Sequence, residues 1–437
     1  MMGLDSAKVG EKKELINKGF FAFIAKAISA GASFLMSVFV ARSLGVEESG
    51  YFFLSLTLIT VLSMLCLQGY NNILVRFIAS YKAEVQPGKI TTIYNITLVK
   101  VFGASIFCSA IVYFSSGWIS SVVFGMPGLT TVLAVMSLSI LPLAICQHAS
   151  FCFQGTKSVA SAMMFRNGVV PIVFILLALS LSYLVDLDFS GIFLLSSLFG
   201  SVLAVLIFTR QNNVNLTETH FSDSVLEDIR PIQLDMFLVI VLGLVIQWSS
   251  QLIVGVFLSP EDIAYFSTAQ RTAMLTSFIL VAVNSIVAPK FASAYASGNK
   301  DRLRFLSIYS SRMLFIVATP VLFFIIFFAE FIMSFFGAGF TEGANILRVL
   351  ALGQFINVAT GSVGYLLQMT GLEKDVRNNM VISGIILLTL SPLLTVQYGV
   401  IGGALATAIA VSTQNILCVY KVYLKLGFNT LAIWKKL

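Results

Sequence analysis

Long apolar runs alternate with short polar connections along the whole chain. Twelve such runs lie near residues 19–41, 51–75, 91–114, 130–153, 160–182, 190–209, 234–257, 263–288, 305–328, 343–369, 378–397 and 400–424. Each is close to the roughly 20 apolar residues that a helix needs to cross a bilayer. The bilayer interior offers no water to pair with backbone groups, so an unbroken apolar run favours a helix. The pattern predicts an all-α polytopic membrane protein with twelve transmembrane helices.

The composition agrees with a membrane protein. Of the 437 residues, 58% are hydrophobic and 11% are charged, whereas soluble domains carry about 25% charged residues. The net charge of +7 accompanies a mean hydropathy of +0.94, which indicates cations at the border of a bilayer. This excludes an ordinary soluble enzyme and a nucleic-acid-binding protein. The two histidines and five cysteines form no ligand set, so we expect neither a metal nor a cofactor.

The basic residues of the connections predict the orientation of the spans. Lys and Arg are concentrated in alternate connections and both chain ends, and Arg42 is the one cation assigned to a connection on the opposite side. Because cytoplasmic connections carry the excess of Lys and Arg, both termini are predicted to be cytoplasmic.

An internal repeat relates the two halves of the chain. Three pairs of segments align without a gap at one offset of 214 residues: 44–52 with 258–266, 76–81 with 290–295, and 154–156 with 368–370. The repeat predicts an N-terminal six-helix lobe (1–209), a cytoplasmic linker (210–233) and a C-terminal six-helix lobe (234–437). Both halves cross the membrane in the same direction, so we expect a pseudo-two-fold axis along the membrane normal and a substrate cavity between the bundles.

Five cations lie in or near the predicted spans instead of in the connections: Lys26, Lys100, Arg271, Arg312 and Arg348. All twenty carboxylates fall in connections or at span ends, so no ion-pair partner is expected at the depth of these cations. A charge facing lipid costs at least ~2.5–3.5 kcal/mol at the bilayer centre. We therefore predict that the five face water or an anion and bind substrate, with Lys26 and Arg271 the deepest. For the other three, snorkelling to the headgroups is the alternative.

The chemistry of these residues points to an anionic, sugar-bearing substrate. A cationic cavity without carboxylates favours an anion such as pyrophosphate, whose oxygens Lys and Arg can neutralise together. Polar residues in or near the spans supply the donors, acceptors and flat aromatic face that sugar hydroxyls need: Gln68, Asn71, Asn72, Gln247, Trp248, Gln251, Gln270, Asn284, Gln354 and Asn357. Hydrogen bonding between helices is the simpler explanation for any one of them.

Three segments resemble the polysaccharide transporters of the multidrug/oligosaccharidyl-lipid/polysaccharide exporter superfamily: RSLGVEESGY at 42–51, FQG at 153–155 and GVIGGA at 399–404. The resemblance covers essentially the whole chain. It is closest to the bacterial flippases for undecaprenyl-pyrophosphate-linked O-antigen or capsule repeat units. Lys26 and Arg271 are similar in placement to the lumen cations of the related peptidoglycan-precursor flippases, which implies that they bind pyrophosphate.

This resemblance implies two V-shaped six-helix lobes that alternate access across the bacterial inner membrane. It implies a lipid-linked oligosaccharide substrate, a role in lipopolysaccharide biosynthesis, and a glycan polymerase and chain-length regulator as candidate partners. Two alternatives stay open. A drug/cation antiporter of the same superfamily would need a carboxylate in mid-membrane, and a membrane glycan polymerase would need a large external loop with catalytic residues. Neither feature is found in the sequence, so we expect a transporter and not an enzyme.

Overall fold

The structure, a computed structural model, describes residues 2–181, 188–216, 223–432 and Trp434. Within these ranges the chain is helical and forms no β-strand. In the described part of the chain, eight helical segments are long and apolar enough to cross a membrane, and two bent helix pairs raise the number to ten if each pair is one span. The prediction of an all-α polytopic membrane protein is therefore confirmed.

The helices follow one another with short connections. They are α1 (Met2–Leu65), α2 (Tyr70–Ala83), α3 (Pro87–Trp118), α4 (Leu129–Ser137), α5 (Ile140–Gly155), α6 (Val159–Asn167), α7 (Val169–Leu181), α8 (Phe189–Asn212), α9 (Asp223–Phe257), α10 (Pro260–Met274), α11 (Phe278–Ala296), α12 (Lys300–Phe327), α13 (Ala329–Ser334), α14 (Ala344–Ala359), α15 (Val363–Met369) and α16 (Glu373–Leu426). The bent pairs are α4 with α5, at 45°, and α6 with α7, at 49°.

Glycines interrupt the two longest helices. Within the 64 residues of α1, Gly45 has φ 78° and ψ −172°, and within the 54 residues of α16, Gly399 has φ 62° and ψ −147°. These values are open to glycine because it lacks a Cβ. Each glycine lies between two of the apolar runs, and each helix is too long for a single span of about 20 residues.

The chain divides into two compact units. Unit 1 comprises Met1–Phe39 and Ser55–Val241, and unit 2 comprises Val40–Leu54 and Leu242–Leu437. The short piece Val40–Leu54 thus packs with the second half of the chain. The lobe and linker bounds drawn from the repeat stay a prediction, and residues 217–222 of that linker lie outside the described residues.

In unit 1, the first half of α1 packs against the break between α6 and α7. The hydroxyl of Ser33 donates to the Asn167 carbonyl at 2.9 Å, and Ser29 Oγ, which lies 2.7 Å from the Ala25 carbonyl of its own helix, is 3.3 Å from the Met163 carbonyl. A Cβ at Gly168 would lie 2.5 Å from Ser29 Oγ, so the absence of a side chain permits this close approach. The contact brings Lys26 of α1 and Arg166 of α6 into one region.

In unit 2, α14 crosses α16 closely at another glycine. A Cβ at Gly353 would lie 2.7 Å from Ala408 Cα, so two small residues let the helix backbones meet, as is common between membrane helices. The same two helices contribute to the cavity described below.

Candidate functional site

Lys26 lies on α1 in unit 1, one helical turn before Ser29, and its side chain is half-buried. Its ammonium is within electrostatic range of the Arg166 guanidinium on α6. Two cations therefore share one region of unit 1. Like charges at close range destabilise each other unless water or an anion separates them.

Arg166 is a candidate site residue that our sequence analysis missed, because it was counted with the cytoplasmic connections. The structure places it, half-buried, in the last turn of α6. Nη2 donates to Gln154 Oε1 at 2.8 Å and Nε donates to Ser150 Oγ at 3.2 Å, while Cζ lies 4.1 Å from the centroid of the Phe151 ring. These groups orient the guanidinium, and none of the three carries a charge. The signal for it was its position six residues inside an apolar run.

Arg271 lies in the last turn of α10 in unit 2 and is also half-buried. Its Cζ is 5.3 Å from the centroid of the Phe53 ring, a distance at which the ring face attracts a cation. Gln251 positions this ring, because its Nε2 donates to the Phe53 carbonyl at 3.3 Å and to Ser267 Oγ at 2.5 Å. An aromatic ring from the piece Val40–Leu54 thus holds Arg271.

Gly50 makes this arrangement possible. A Cβ at that position would collide with the carbonyl of Pro260, the first residue of α10. Ser259 caps α10, since its side chain accepts from the backbone N–H of Asp262, so the start of the helix is well defined. The close approach of Gly50 to this helix start brings Phe53 beside α10.

Arg348 differs from the other predicted cations. Its Nη2 lies 3.3 Å from Glu330 Oε1, Nε donates to the Ile326 carbonyl at 3.1 Å, and Nη1 donates to Asn345 Oδ1 at 2.6 Å. The prediction that Arg348 has no carboxylate partner is therefore wrong. The short helix α13 returns the chain toward α14, and Glu330, 18 positions earlier in the sequence, reaches the guanidinium.

The remaining two predicted cations lie on different units. Lys100 is exposed on α3 in unit 1, with Nζ 5.7 Å from the centroid of the Tyr70 ring. Arg312 is half-buried on α12 in unit 2.

Unit 2 contains a cavity of about 330 Å³ that is lined by α9, α10, α14 and α16. Its size falls in the range of small-molecule sites. Six side-chain amides share its wall: Gln247, Gln270, Gln354, Asn357, Gln414 and Asn415. Among the lining residues that the structure describes, none carries a formal charge, so none of the five predicted cations belongs to this wall.

The amides of the cavity are incompletely hydrogen-bonded to one another. Gln270 is 8% exposed, and its Nε2 donates to the Gln247 carbonyl at 3.2 Å, but its Oε1 finds no partner among the described residues. Asn357 Nδ2 donates to Gln354 Oε1 at 3.2 Å. Of the ten polar residues that the sequence singled out, Gln247, Gln270, Gln354 and Asn357 line this cavity and the other six do not. The structure adds Gln414 and Asn415 from α16.

Comparison with known sequences matches this chain to glycan-related membrane proteins. The family described as polysaccharide biosynthesis protein matches residues 39–345. The probable low-salt glycan biosynthesis flippase Agl15 of Haloferax volcanii is 22% identical over 417 residues, which covers 92% of this chain and 82% of that protein.

Solved structures share the fold at low identity. The lipid II flippase MurJ in an inward closed conformation has a TM-score of 0.69 and 17% identity, covering 94% of this chain and 91% of its own. A multidrug resistance MATE family transporter of the MOP superfamily, in an inward-facing conformation, has a TM-score of 0.73 and 14% identity, with 93% and 94% covered. The sequence and structure matches together confirm the predicted resemblance. At identities of 14% and 17%, the solved structures show similarity of fold only.

Proposed function

Because the chain belongs to the polysaccharide biosynthesis protein family, we propose that it is a flippase that moves a lipid-linked oligosaccharide across the membrane by alternating access, without catalysing a reaction. The proposed substrate is an undecaprenyl-pyrophosphate-linked O-antigen or capsule repeat unit. It moves from the cytoplasmic to the periplasmic leaflet of a bacterial inner membrane, in which both chain ends face the cytoplasm. A glycan polymerase and a chain-length regulator are the proposed partners.

The observation that carries this proposal is the pair formed by Lys26 and Arg166. Both side chains are half-buried, α1 meets the end of α6 at Ser33 and Asn167, and the side chains that hold Arg166 among the described residues are neutral. A pyrophosphate presents several anionic oxygens and can neutralise both groups, while a guanidinium binds two of these oxygens at once. Arg166 is therefore proposed as a phosphate ligand beside the predicted site residue Lys26.

Arg271 is the proposed pyrophosphate ligand of unit 2. Its contact with Phe53 orients the guanidinium without a counter-charge, so the charge stays available to an anion. Lys100 and Arg312 are also proposed to contact the substrate, on the basis of the sequence. Arg348 is suited to a structural role, because Glu330, Asn345 and the Ile326 carbonyl occupy its donors.

Twelve spans in two related six-helix halves are part of the proposal. Ten candidate spans become twelve if Gly45 and Gly399 each divide a long helix into two spans. The helix bounds also support the repeat: α5 ends at Gly155 and α15 ends at Met369, while α6 begins at Val159 and α16 begins at Glu373. Both pairs of positions differ by the offset seen in the sequence.

The carboxylates favour a flippase over a drug/cation antiporter. Among the side chains that the structure describes, Asp375 is the buried carboxylate, and it lies 3.4 Å from Lys421 Nζ and 2.7 Å from Lys425 Nζ. Its charge is thus already neutralised at the beginning of α16. Coupling to protons or sodium usually depends on a buried acid that can exchange its cation.

The double variant Lys26→Ala/Arg271→Ala tests the proposal in cells that depend on this chain for surface glycan. We expect surface glycan to be lost and the lipid-linked repeat unit to accumulate in the cytoplasmic leaflet, because both predicted phosphate-binding cations are removed. The readouts are surface glycan, leaflet distribution of the repeat unit and protein level.

The matched control is Arg302→Ala/Arg304→Ala, which removes two exposed cations from α12. This control should retain surface glycan. Normal glycan with the Lys26→Ala/Arg271→Ala variant at an equal protein level would refute the proposed role of these two residues. A deletion strain with changed drug accumulation and a normal leaflet distribution would favour the antiporter.

A further inference from the structure

The amide-lined cavity of unit 2 differs chemically from the proposed pyrophosphate ligands. Its described wall bears no formal charge, and each of the four helices that form it contributes at least one side-chain amide. An amide both donates and accepts hydrogen bonds. Such a wall matches a ligand that is rich in hydroxyl or acetamido groups and has no charge.

The Gln270 side chain indicates that the cavity is built to hold a polar ligand. This residue is more than nine-tenths buried, one end of its amide is fixed by the Gln247 carbonyl, and its Oε1 finds no partner among the described residues. A buried acceptor without a donor destabilises a fold, whereas a hydroxyl of a bound ligand would satisfy it.

A charged ligand fits this cavity poorly. A uronate or a phosphate transferred from water into it would meet amide dipoles but no cation among the lining residues, and burial of a charge without a counter-charge is costly. The cations nearest in sequence do not line the cavity: Arg271 follows Gln270 directly, yet it lies against Phe53. Neighbouring positions of α10 thus serve different chemistry.

We infer that this cavity binds a neutral sugar residue, a hexose or an N-acetylhexosamine, of the lipid-linked oligosaccharide. The inference rests on the proposed function and assigns the sugar-recognition subsite to unit 2, with Gln270, Gln354, Asn357 and Gln414 as its hydrogen-bonding residues.

The test compares lipids that differ only in the sugar. The full chain in lipid nanodiscs is titrated calorimetrically with undecaprenyl pyrophosphate alone, with the same lipid bearing glucose, galactose or N-acetylglucosamine, and with the same lipid bearing glucuronic acid. At least one neutral sugar should tighten binding about tenfold relative to the bare lipid, which corresponds to one or two net hydrogen bonds. Glucuronic acid should give no gain.

Two variants locate the effect. Gln354→Met and Gln414→Met keep the length of the side chain and remove its hydrogen bonds. Each should lower the gain from the neutral sugar roughly 3-fold to 10-fold and leave the affinity for the bare lipid unchanged, which also shows that the variant is folded. Asn357→Leu replaces either variant if it fails to fold. The control Gln397→Met changes an exposed amide of α16 outside the cavity and should alter neither affinity.

The outcomes separate this inference from the proposed function. If the bare lipid binds but no neutral sugar tightens binding, or if glucuronic acid binds as tightly as the neutral sugars, the cavity is not a sugar site and the flippase proposal stands. The same holds if the cavity variants bind every lipid as the wild-type chain does. If the wild-type chain binds none of the lipids, the flippase proposal falls, and this inference falls with it.

Discussion

A cationic region of unit 1 contrasts with a neutral, amide-lined cavity of unit 2. In unit 1, Lys26 and Arg166 lie within range of each other, and the guanidinium is held by Gln154 and Ser150. In unit 2, the cavity wall is neutral, and its buried Gln270 oxygen has no described partner. The first arrangement favours an anion, and the second favours a hydroxyl-bearing ligand.

The internal repeat allows corresponding positions of the two halves to be compared. At the offset of 214 residues, Arg166 corresponds to Met380, which lines the neutral cavity, and Gln354 corresponds to Ile140, which is fully buried in unit 1. Arg166 and Gln354 thus each have an apolar counterpart in the other half. The repeat predicts related helices in the two halves, whereas the side chains at these positions differ in chemistry. The proposed substrate has two ends that likewise differ in charge.

The largest expected effect comes from Arg166→Met, which gives unit 1 the residue that stands at the corresponding position of unit 2. Loss of charge-assisted hydrogen bonds worth about 1.5–3 kcal/mol should weaken the binding of bare undecaprenyl pyrophosphate roughly 10-fold to 150-fold. Calorimetric titration measures the change, and Arg166→Lys should recover part of the affinity. An unchanged dissociation constant would refute the proposed role of Arg166 as a phosphate ligand.

Gly50→Ala tests whether unit 2 depends on the piece Val40–Leu54. The added Cβ would collide with the Pro260 carbonyl, and overpacking of this kind costs about 1–3 kcal/mol, so the melting temperature should fall. Gly31→Ala is the matched control, because nothing lies within 4 Å of a Cβ there; it should raise helix stability by about 0.5–1 kcal/mol. Equal melting temperatures for the two variants would contradict the close contact.

Met380→Lys places a cation in the neutral cavity and tests whether the cavity selects its ligand by charge. It should reduce the gain in affinity from a neutral sugar by about tenfold or less, since roughly 1 kcal/mol of hydrogen bonding is perturbed. It should also allow the glucuronic acid lipid to bind better than the bare lipid, because the new ammonium compensates the carboxylate. Calorimetry with the two sugar lipids checks both signs, and a variant that still rejects glucuronic acid would argue against selection by charge.

The smallest effect is expected for Arg348→Ala. Its partner Glu330 is largely exposed, with 71% of the side chain accessible, and exposed ion pairs contribute about 0–1 kcal/mol. Thermal stability should therefore fall slightly, and affinity for bare undecaprenyl pyrophosphate should not change. A clear loss of lipid affinity would return Arg348 to the set of substrate ligands.

The helical membrane fold was predictable because a long apolar run admits few alternatives in a bilayer. The run bounds near 41–51 and 397–400 also predicted where Gly45 and Gly399 interrupt the helices. The Arg348–Glu330 ion pair was missed because the break between α12 and α13, at Phe328, returns the chain on itself. A hydropathy pattern carries no information on the direction of such a turn.

The chemistry along each helix was determined by the sequence alone: which runs are apolar, where cations and amides interrupt them, and which segments repeat. Only the tertiary structure decided which of these groups meet. Arg166 and Lys26 lie in one region because Gly168 lets α1 approach the break between α6 and α7, and four of the six amides meet because α14 and α16 cross at Gly353. Periodicity describes one helix at a time, whereas contacts between helices depend on the shapes of both surfaces.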